Sequence, residues 1–182
     1  MALCPACKKK KKEVEPVNTV RYTTFNNTVL SYNNHPPSVD IDGDGNMDFA
    51  YSVGLLQVDN ENITTFKLLR NPNNQIAVSN IDAAYAFGPN ASLQNALDNN
   101  QLSWQSVHGV LLSKHETNNT SYKSGAFNNA VDRYVGLRIK KGDAYHYGWI
   151  KLTHRLNAAG NDELAISQTA VETVAEKPIT TL

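Results

Sequence analysis

The sequence predicts an all-β fold, an antiparallel β-sandwich of jelly-roll-like character with one short helix, and three observations point there. Short runs of β-branched and aromatic residues recur along the chain, and each is bounded by Asn, Gly, Asp or Pro. The polar positions are dominated by Asn, Thr and Ser, as in Asn26-Asn27-Thr28, Asn73-Asn74 and Asn118-Asn119-Thr120; such short side chains suit turns and solvated strand faces. At 182 residues, 41% hydrophobic, the chain is long enough for one domain with a core of its own. The expected division is a tail over 1–16 and the sandwich over 17–182.

The tail holds both cysteines, Cys4 and Cys7, then the run Lys8 to Lys12 and a Pro at 16, with no apolar helix. A Cys-x-x-Cys pair is half a zinc site, zinc takes about four ligands, and no second pair exists. Apolar residues, a small residue, then Cys7 and a lysine string resemble the processing site of a bacterial lipoprotein. That resemblance implies a lipid on Cys7 and a membrane as partner through it; the alternative is a solvated tail without an anchor. Lys+Arg and Asp+Glu both number 17, so no global field draws nucleic acid. The lysine run also lacks interleaved aromatics, and no nucleic-acid partner is expected.

From Val17 the chain alternates with period two through Phe25, and further strands are expected over Met47 to Val53, Ile63 to Leu69, Ile76 to Ser79 and Ala83 to Phe87. Ser92 to Asn99 has helical character, with Ser92 as cap and Leu93, Ala96 and Leu97 as one buried stripe. Strands resume over Val107 to Lys114, Arg133 to Lys140, Tyr145 to Thr153 and Leu164 to Ala170. Lys140-Lys141-Gly142-Asp143 is the clearest hairpin, since Gly142 accepts a positive φ. Gly136 and Gly148, each inside a strand, are expected where a large neighbour approaches the backbone.

Between the first two strands lies Asp40-Ile41-Asp42-Gly43-Asp44-Gly45-Asn46-Met47-Asp48. Two unit charges ~4 Å apart interact by ~1 kcal/mol even in water, so several acids crowded on one turn favour a hard cation between them. Counting Asp40 as position one, carboxylates fall at one, three, five and nine, Gly45 at the sharp turn at six and the Asn46 carbonyl at seven. This predicts Ca2+ held by Asp40, Asp42, Asp44, Asn46 and Asp48. Position twelve, a bidentate Glu in an EF-hand, is Tyr51, and strand-like flanks replace the helices. The loop therefore resembles the DxDGDGxxD loops of dockerin, thrombospondin-type and integrin β-propeller repeats, which implies a structural clamp. The metal-free alternative is an Asp-Gly turn.

Tyr134-Val-Gly-Leu-Arg-Ile-Lys-Lys-Gly-Asp-Ala-Tyr-His-Tyr-Gly-Trp149 resembles a Y-x-G-L-R-F, turn, H-Y-G-W pattern of uncharacterised secreted bacterial β-sandwich proteins. Surface lipoproteins and proteins with PEP-CTERM sorting tails are among them. Ala170-Val171-Glu172-Thr173 and Pro178-Ile179 match the same group, so the likeness covers about the last fifty residues. No hydrophobic span follows Pro178-Ile179, which puts any anchor at the amino end. The resemblance implies an extracellular or outer-membrane location on a bacterium and a sandwich fold, and attaches no activity.

Tyr145, Tyr147 and Trp149 share one strand face by alternation, and Trp104 is the second tryptophan. The face is either core, the preferred reading, or a platform on which a glycan or another cell-envelope component stacks. His108, His115, Glu116 and Asp132 are acid–base candidates, and there is no H-E-x-x-H, G-x-S-x-G, phosphate loop or second acidic cluster to act with them. No catalytic residue is expected. The chain reads as a noncatalytic calcium-stabilised module for display, adhesion or ligand binding, with a carbohydrate-binding module as the alternative and a secreted hydrolase as the weakest.

Overall fold

The computed structural model describes residues 18–34, 36, 38–79 and 82–182, the side chain of Asn27 excepted. The expected tether with Cys7 lies outside the described residues. Among those residues there are thirteen strands and no helix. They are β1 Val20–Ser31, β2 Phe49–Val58, β3 Glu61–Arg70, β4 Gln75–Val78, β5 Ala86–Phe87, β6 Ser92–Leu93, β7 Ser103–Gln105, β8 Gly109–Glu116, β9 Ser121–Ser124, β10 Arg133–Lys141, β11 Ala144–Leu156, β12 Asp162–Glu172 and β13 Ile179–Thr180.

The long strands form two antiparallel sheets. The larger runs β1-β12-β11-β10-β4-β7, with β5 also on β10, and the smaller runs β2-β3-β8-β9. The β10–β11 hairpin pairs Arg133 with Leu152 through Lys141 with Ala144, and its turn carries Gly142 at φ +56°, the sign that a two-residue hairpin loop asks of a glycine in its first central position. The sheets face each other across a core that takes Phe49, Phe66, Leu68 and Leu112 from the smaller sheet and Leu30, Leu137, Ile150, Leu164 and Ile166 from the larger. This is the expected antiparallel sandwich.

The larger sheet is buried on its other face too. Residues 88–102 and the segment after Glu172 fold over it, with β6 paired to β13, and enclose Ala77, Phe87, Leu93, Tyr134, Tyr147, Trp149, Ala170 and Ile179. Burial on two faces accounts for the near-continuous apolar runs of β10 and β11, which a half-solvated strand would break by alternation.

Ser92 to Asn99 does not form the expected helix. Ser92 and Leu93 pair with Thr180 and Ile179, and Leu93 is fully buried. The Gln94 carbonyl, which a helix would offer to a backbone N–H four residues on, accepts the Trp104 indole N–H at 2.9 Å. Those tertiary partners override a helical propensity already weakened by Asn95 and Asn99.

Candidate metal centre

The acidic loop crosses one end of the sandwich, where β1, the β10–β11 turn and the entries to β2 and β4 meet. Val39 pairs with Phe49 and Ile41 is buried in the inner core, so alternate residues of the loop point inward as anchors. Asp40, Asp42 and Asp48 each offer a carboxylate oxygen within 4.8 Å of the others, and the three form a cluster able to hold a metal ion. The loop wraps its own amides around these acids. Asp40 Oδ1 accepts from the Gly43 N–H at 2.5 Å and Oδ2 from the Gly45 N–H at 2.9 Å, and Asp48 Oδ2 accepts from the Ile41 N–H at 2.8 Å. A carboxylate has about four lone-pair sites, so these bonds leave capacity for a cation.

Burial pushes the Asp48 carboxyl up to about 6, against the Ile41 hydrogen bond that lowers it, and the Asp42 charge pushes it further up. Two cations of the chain approach from the larger sheet. Arg21 Nη1 donates to the Asp42 carbonyl at 2.7 Å, and Lys141 Nζ stands 2.8 Å from Asp42 Oδ2. That second contact is close in distance but off hydrogen-bond geometry, so Asp42 Oδ2 is buried without a directed donor. Lys141 therefore supplies charge and leaves the oxygen's lone pairs unclaimed.

Asp44 is not brought into the cluster. It is exposed, and its Oδ1 accepts from the Asn46 N–H at 2.8 Å, a bond that holds its carboxyl below the usual range. Asn46 is likewise exposed. Tyr51, at the position of the missing Glu, sits in the inner core, and its hydroxyl has no hydrogen-bond partner among the described residues.

Sequence reasoning missed Asn74 and Lys141. Asn74 Nδ2 donates to the Asp48 carbonyl at 3.2 Å, and its Oδ1 accepts from the Lys140 N–H at 2.9 Å. No local signal joins residues so far apart in sequence, although the hairpin turn at Gly142 placed Lys141 at a sheet end.

The aromatic residues divide. Tyr147 and Trp149, expected as candidates for a ligand face, are fully buried. A ring without an exposed face cannot stack on a glycan, so these two belong to the core. Trp149 meets Tyr134 edge-on at 5.1 Å, and its indole N–H donates to the Thr180 carbonyl at 3.2 Å. Tyr145 and Trp104 are half-buried and enclose Arg138: its guanidinium lies 3.9 Å from the Tyr145 ring centre and 5.5 Å from those of Trp104 and Tyr147. The chain's own cation thus occupies the platform. Arg138 was findable, because the expected hairpin sets it opposite Tyr147.

The acid–base candidates do not converge on one another. His108 is exposed, Glu116 pairs with Lys114 at 2.6 Å and Asp132 with Lys151 at 3.4 Å. On the outer face of the smaller sheet His115 stacks on Tyr122 at 4.4 Å. Its Nδ1 is 3.0 Å from Glu61 Oε1 and its Nε2 3.3 Å from Ser124 Oγ. His146 Nδ1 donates to the Glu172 carbonyl at 3.0 Å.

A buried ionic group also escaped the sequence reading. Lys123 of the smaller sheet reaches Asp162 Oδ1 of the larger at 2.5 Å, and His154 Nε2 meets the same oxygen at 2.7 Å. The Asn129 N–H donates to His154 Nδ1 at 2.9 Å, so the imidazole proton is on Nε2 and both ring nitrogens are engaged. Burial pushes the Asp162 carboxyl up, and the hydrogen bonds from Lys123 and His154 outweigh that and hold it below the usual value. This group locks the two sheets together.

No family model matches the chain, and no curated protein or solved structure matches it.

Proposed function

We propose that the chain is a noncatalytic extracellular or cell-surface module for display, adhesion or ligand binding, whose two sheets are clamped at one end by a calcium ion on Asp40, Asp42 and Asp48. The observation that carries the reading is the gathering of three carboxylates within 4.8 Å on a loop that touches both sheets. All the donors are hard oxygens, and the loop is irregular enough for the six to eight ligands that calcium takes, where magnesium demands a near-ideal octahedron. Loops of modest affinity, Kd ~10⁻⁴–10⁻³ M, fill outside cells, which agrees with the surface location that the Cys7 and Tyr134–Trp149 resemblances imply.

An ion that binds only the folded state stabilises it by mass action, by ~2.7 kcal/mol at a hundredfold excess over Kd. For a domain of this size that is a rise in Tm of about 5–10 °C. The test is a thermal melt of the chelated protein with calcium and with magnesium added back singly. The reading requires the larger rise with calcium; a curve that calcium leaves in place would overturn it.

A further inference from the structure

We infer that the end of the sandwich opposite the acidic loop is a binding site for a short neutral saccharide. The two ends are set apart by the length of β1: Arg21 touches the loop, and Ser31, ten residues on, borders a cleft of about 410 Å³. At ~3.3 Å per residue that separation is roughly 30 Å, so the cleft does not depend on the ion.

The cleft is where the sheets part, and the chain has furnished it for water. Along each strand the inward positions are apolar in the middle of the sandwich and become polar at this level. Phe66 gives way to Thr64 and Asn62 on β3, Leu112 to Lys114 and Glu116 on β8, and Leu164 to Asp162 on β12; the polar residues of all three strands line the cleft. Three strands in two sheets change character together, so the opening is a built cavity with a wet interior and not a packing fault, which would be lined by apolar side chains.

The chemistry of the walls selects the ligand. The charges are matched within the protein, Lys114 with Glu116 at 2.6 Å and Asp162 with Lys123 at 2.5 Å, so an ionic ligand would leave a charge uncompensated. Asn33, Asn62 and Asn161 line the same cleft. An amide offers donors and an acceptor together, the complement of a sugar hydroxyl, which also does both. Leu55, 55% exposed although it points between the sheets, and Tyr32 at the rim supply apolar surface for the C–H face of a pyranose ring. A few convergent polar groups over an apolar wall are the usual make-up of a small-ligand site.

The test is a titration of the isotopically labelled chain, followed by amide NMR, with cellotriose, maltotriose and triacetylchitotriose in turn at millimolar concentration, and with sodium sulfate as the anionic probe. The expected result is saturable shifts with at least one sugar, centred on the backbone amides of Asn62, Thr64, Lys114 and Asn161. Asn62→Ala, at an exposed position, should weaken that binding about fivefold, the loss of one hydrogen bond, with Asn161→Ala as the independent second variant. Absence of shifts with all three sugars, shifts centred away from the cleft, or a response to sulfate in place of the sugars would each overturn the proposal.

Discussion

Asn74 ties Asp48 to the larger sheet, giving its side-chain N–H to the Asp48 carbonyl at 3.2 Å and taking the Lys140 N–H on its own oxygen at 2.9 Å. Asn74 and Asp48 are both buried; truncating the amide strands the Lys140 N–H, while the Asp48 carbonyl keeps the Asn71 N–H at 2.9 Å. Each unpaired buried group costs about 1–3 kcal/mol. Asn74→Ala should therefore lower stability by about 1–3 kcal/mol in urea unfolding. A change under about 0.5 kcal/mol, the usual range for surface substitutions, would show that the bridge contributes nothing.

Lys141 competes with any cation at the acidic loop, because its ammonium stands 2.8 Å from Asp42 Oδ2. Removing it takes away both the competitor and the repulsion it exerts on an incoming ion. With ~1 kcal/mol per close charge pair in a solvated setting, Lys141→Gln should tighten calcium binding about fivefold in calorimetric titration. Asp42→Asn should weaken it by more. Weaker calcium binding by Lys141→Gln would mean that the lysine orders the loop and does not compete with the ion.

The parts of the fold that were legible in the sequence are those set by neighbours along the chain. The Lys140–Asp143 hairpin and most core strands carry their own periodicity and their own turn glycine, and they stand within a few residues of where that pattern put them; β1 and β2 run on beyond the expected Phe25 and Val53, to Ser31 and Val58. β7 and β9 are three and four residues long and largely polar; only pairing with Ile76–Val78 and with Ser113–Glu116 makes them strands. The helix expected at Ser92 failed for the same reason in reverse, since β13, far away in sequence, captured its first residues. In the loop, acid spacing identified Asp40, Asp42 and Asp48. It also included Asp44, whose outward turn depends on a bond to the Asn46 N–H that spacing does not reveal.

Gly136 and Gly148 are close-approach positions, as their place in strands predicts, but the obstacles differ in kind. A Cβ on Gly136 would come within 3.0–3.2 Å of side-chain atoms of Phe87, Leu93 and Ala77. On Gly148 it would lie 2.7 Å from the Ala170 carbonyl oxygen, which belongs to the β11–β12 ladder and cannot rotate away. Gly136→Ala should cost about 1–3 kcal/mol, the range for overpacking, and Gly148→Ala more than that. Thermal melts of the two variants that reverse this order would show that side-chain packing, and not the sheet backbone, is the stiffer constraint.

The Lys123–Asp162–His154 group makes stability depend on acid. Its carboxyl titrates lower in the folded state than in the unfolded chain, whose ordinary value is 3.8. As pH falls through and below that value the unfolded state takes up the proton first, so the stability present at neutral pH is progressively lost. Asp162→Asn removes this contribution. The variant should be less stable than the parent at pH 7, and the gap should narrow as pH drops below the carboxylate range. A gap that is constant from neutral to acid pH in urea titrations would mean that the ionised form of Asp162 adds nothing.

Ser124, His115 and Glu61 stand in the order of a hydrolytic relay, with Oγ to Nε2 at 3.3 Å and Nδ1 to carboxylate at 3.0 Å. Distances alone do not make a nucleophile. Catalysis of acyl transfer also needs donors aimed at a developing oxyanion and a concave site that holds the acyl group, and here the three side chains lie on the outer face of a sheet while the 410 Å³ cleft is on its inner face. The imidazole is further committed to stacking on Tyr122, whose hydroxyl donates to the same Glu61 oxygen at 3.4 Å. A fluorophosphonate probe should therefore leave Ser124 unlabelled when the intact protein is read by mass spectrometry. Labelling that Ser124→Ala and His115→Ala both abolish would establish an activated serine and overturn the noncatalytic reading of this chain.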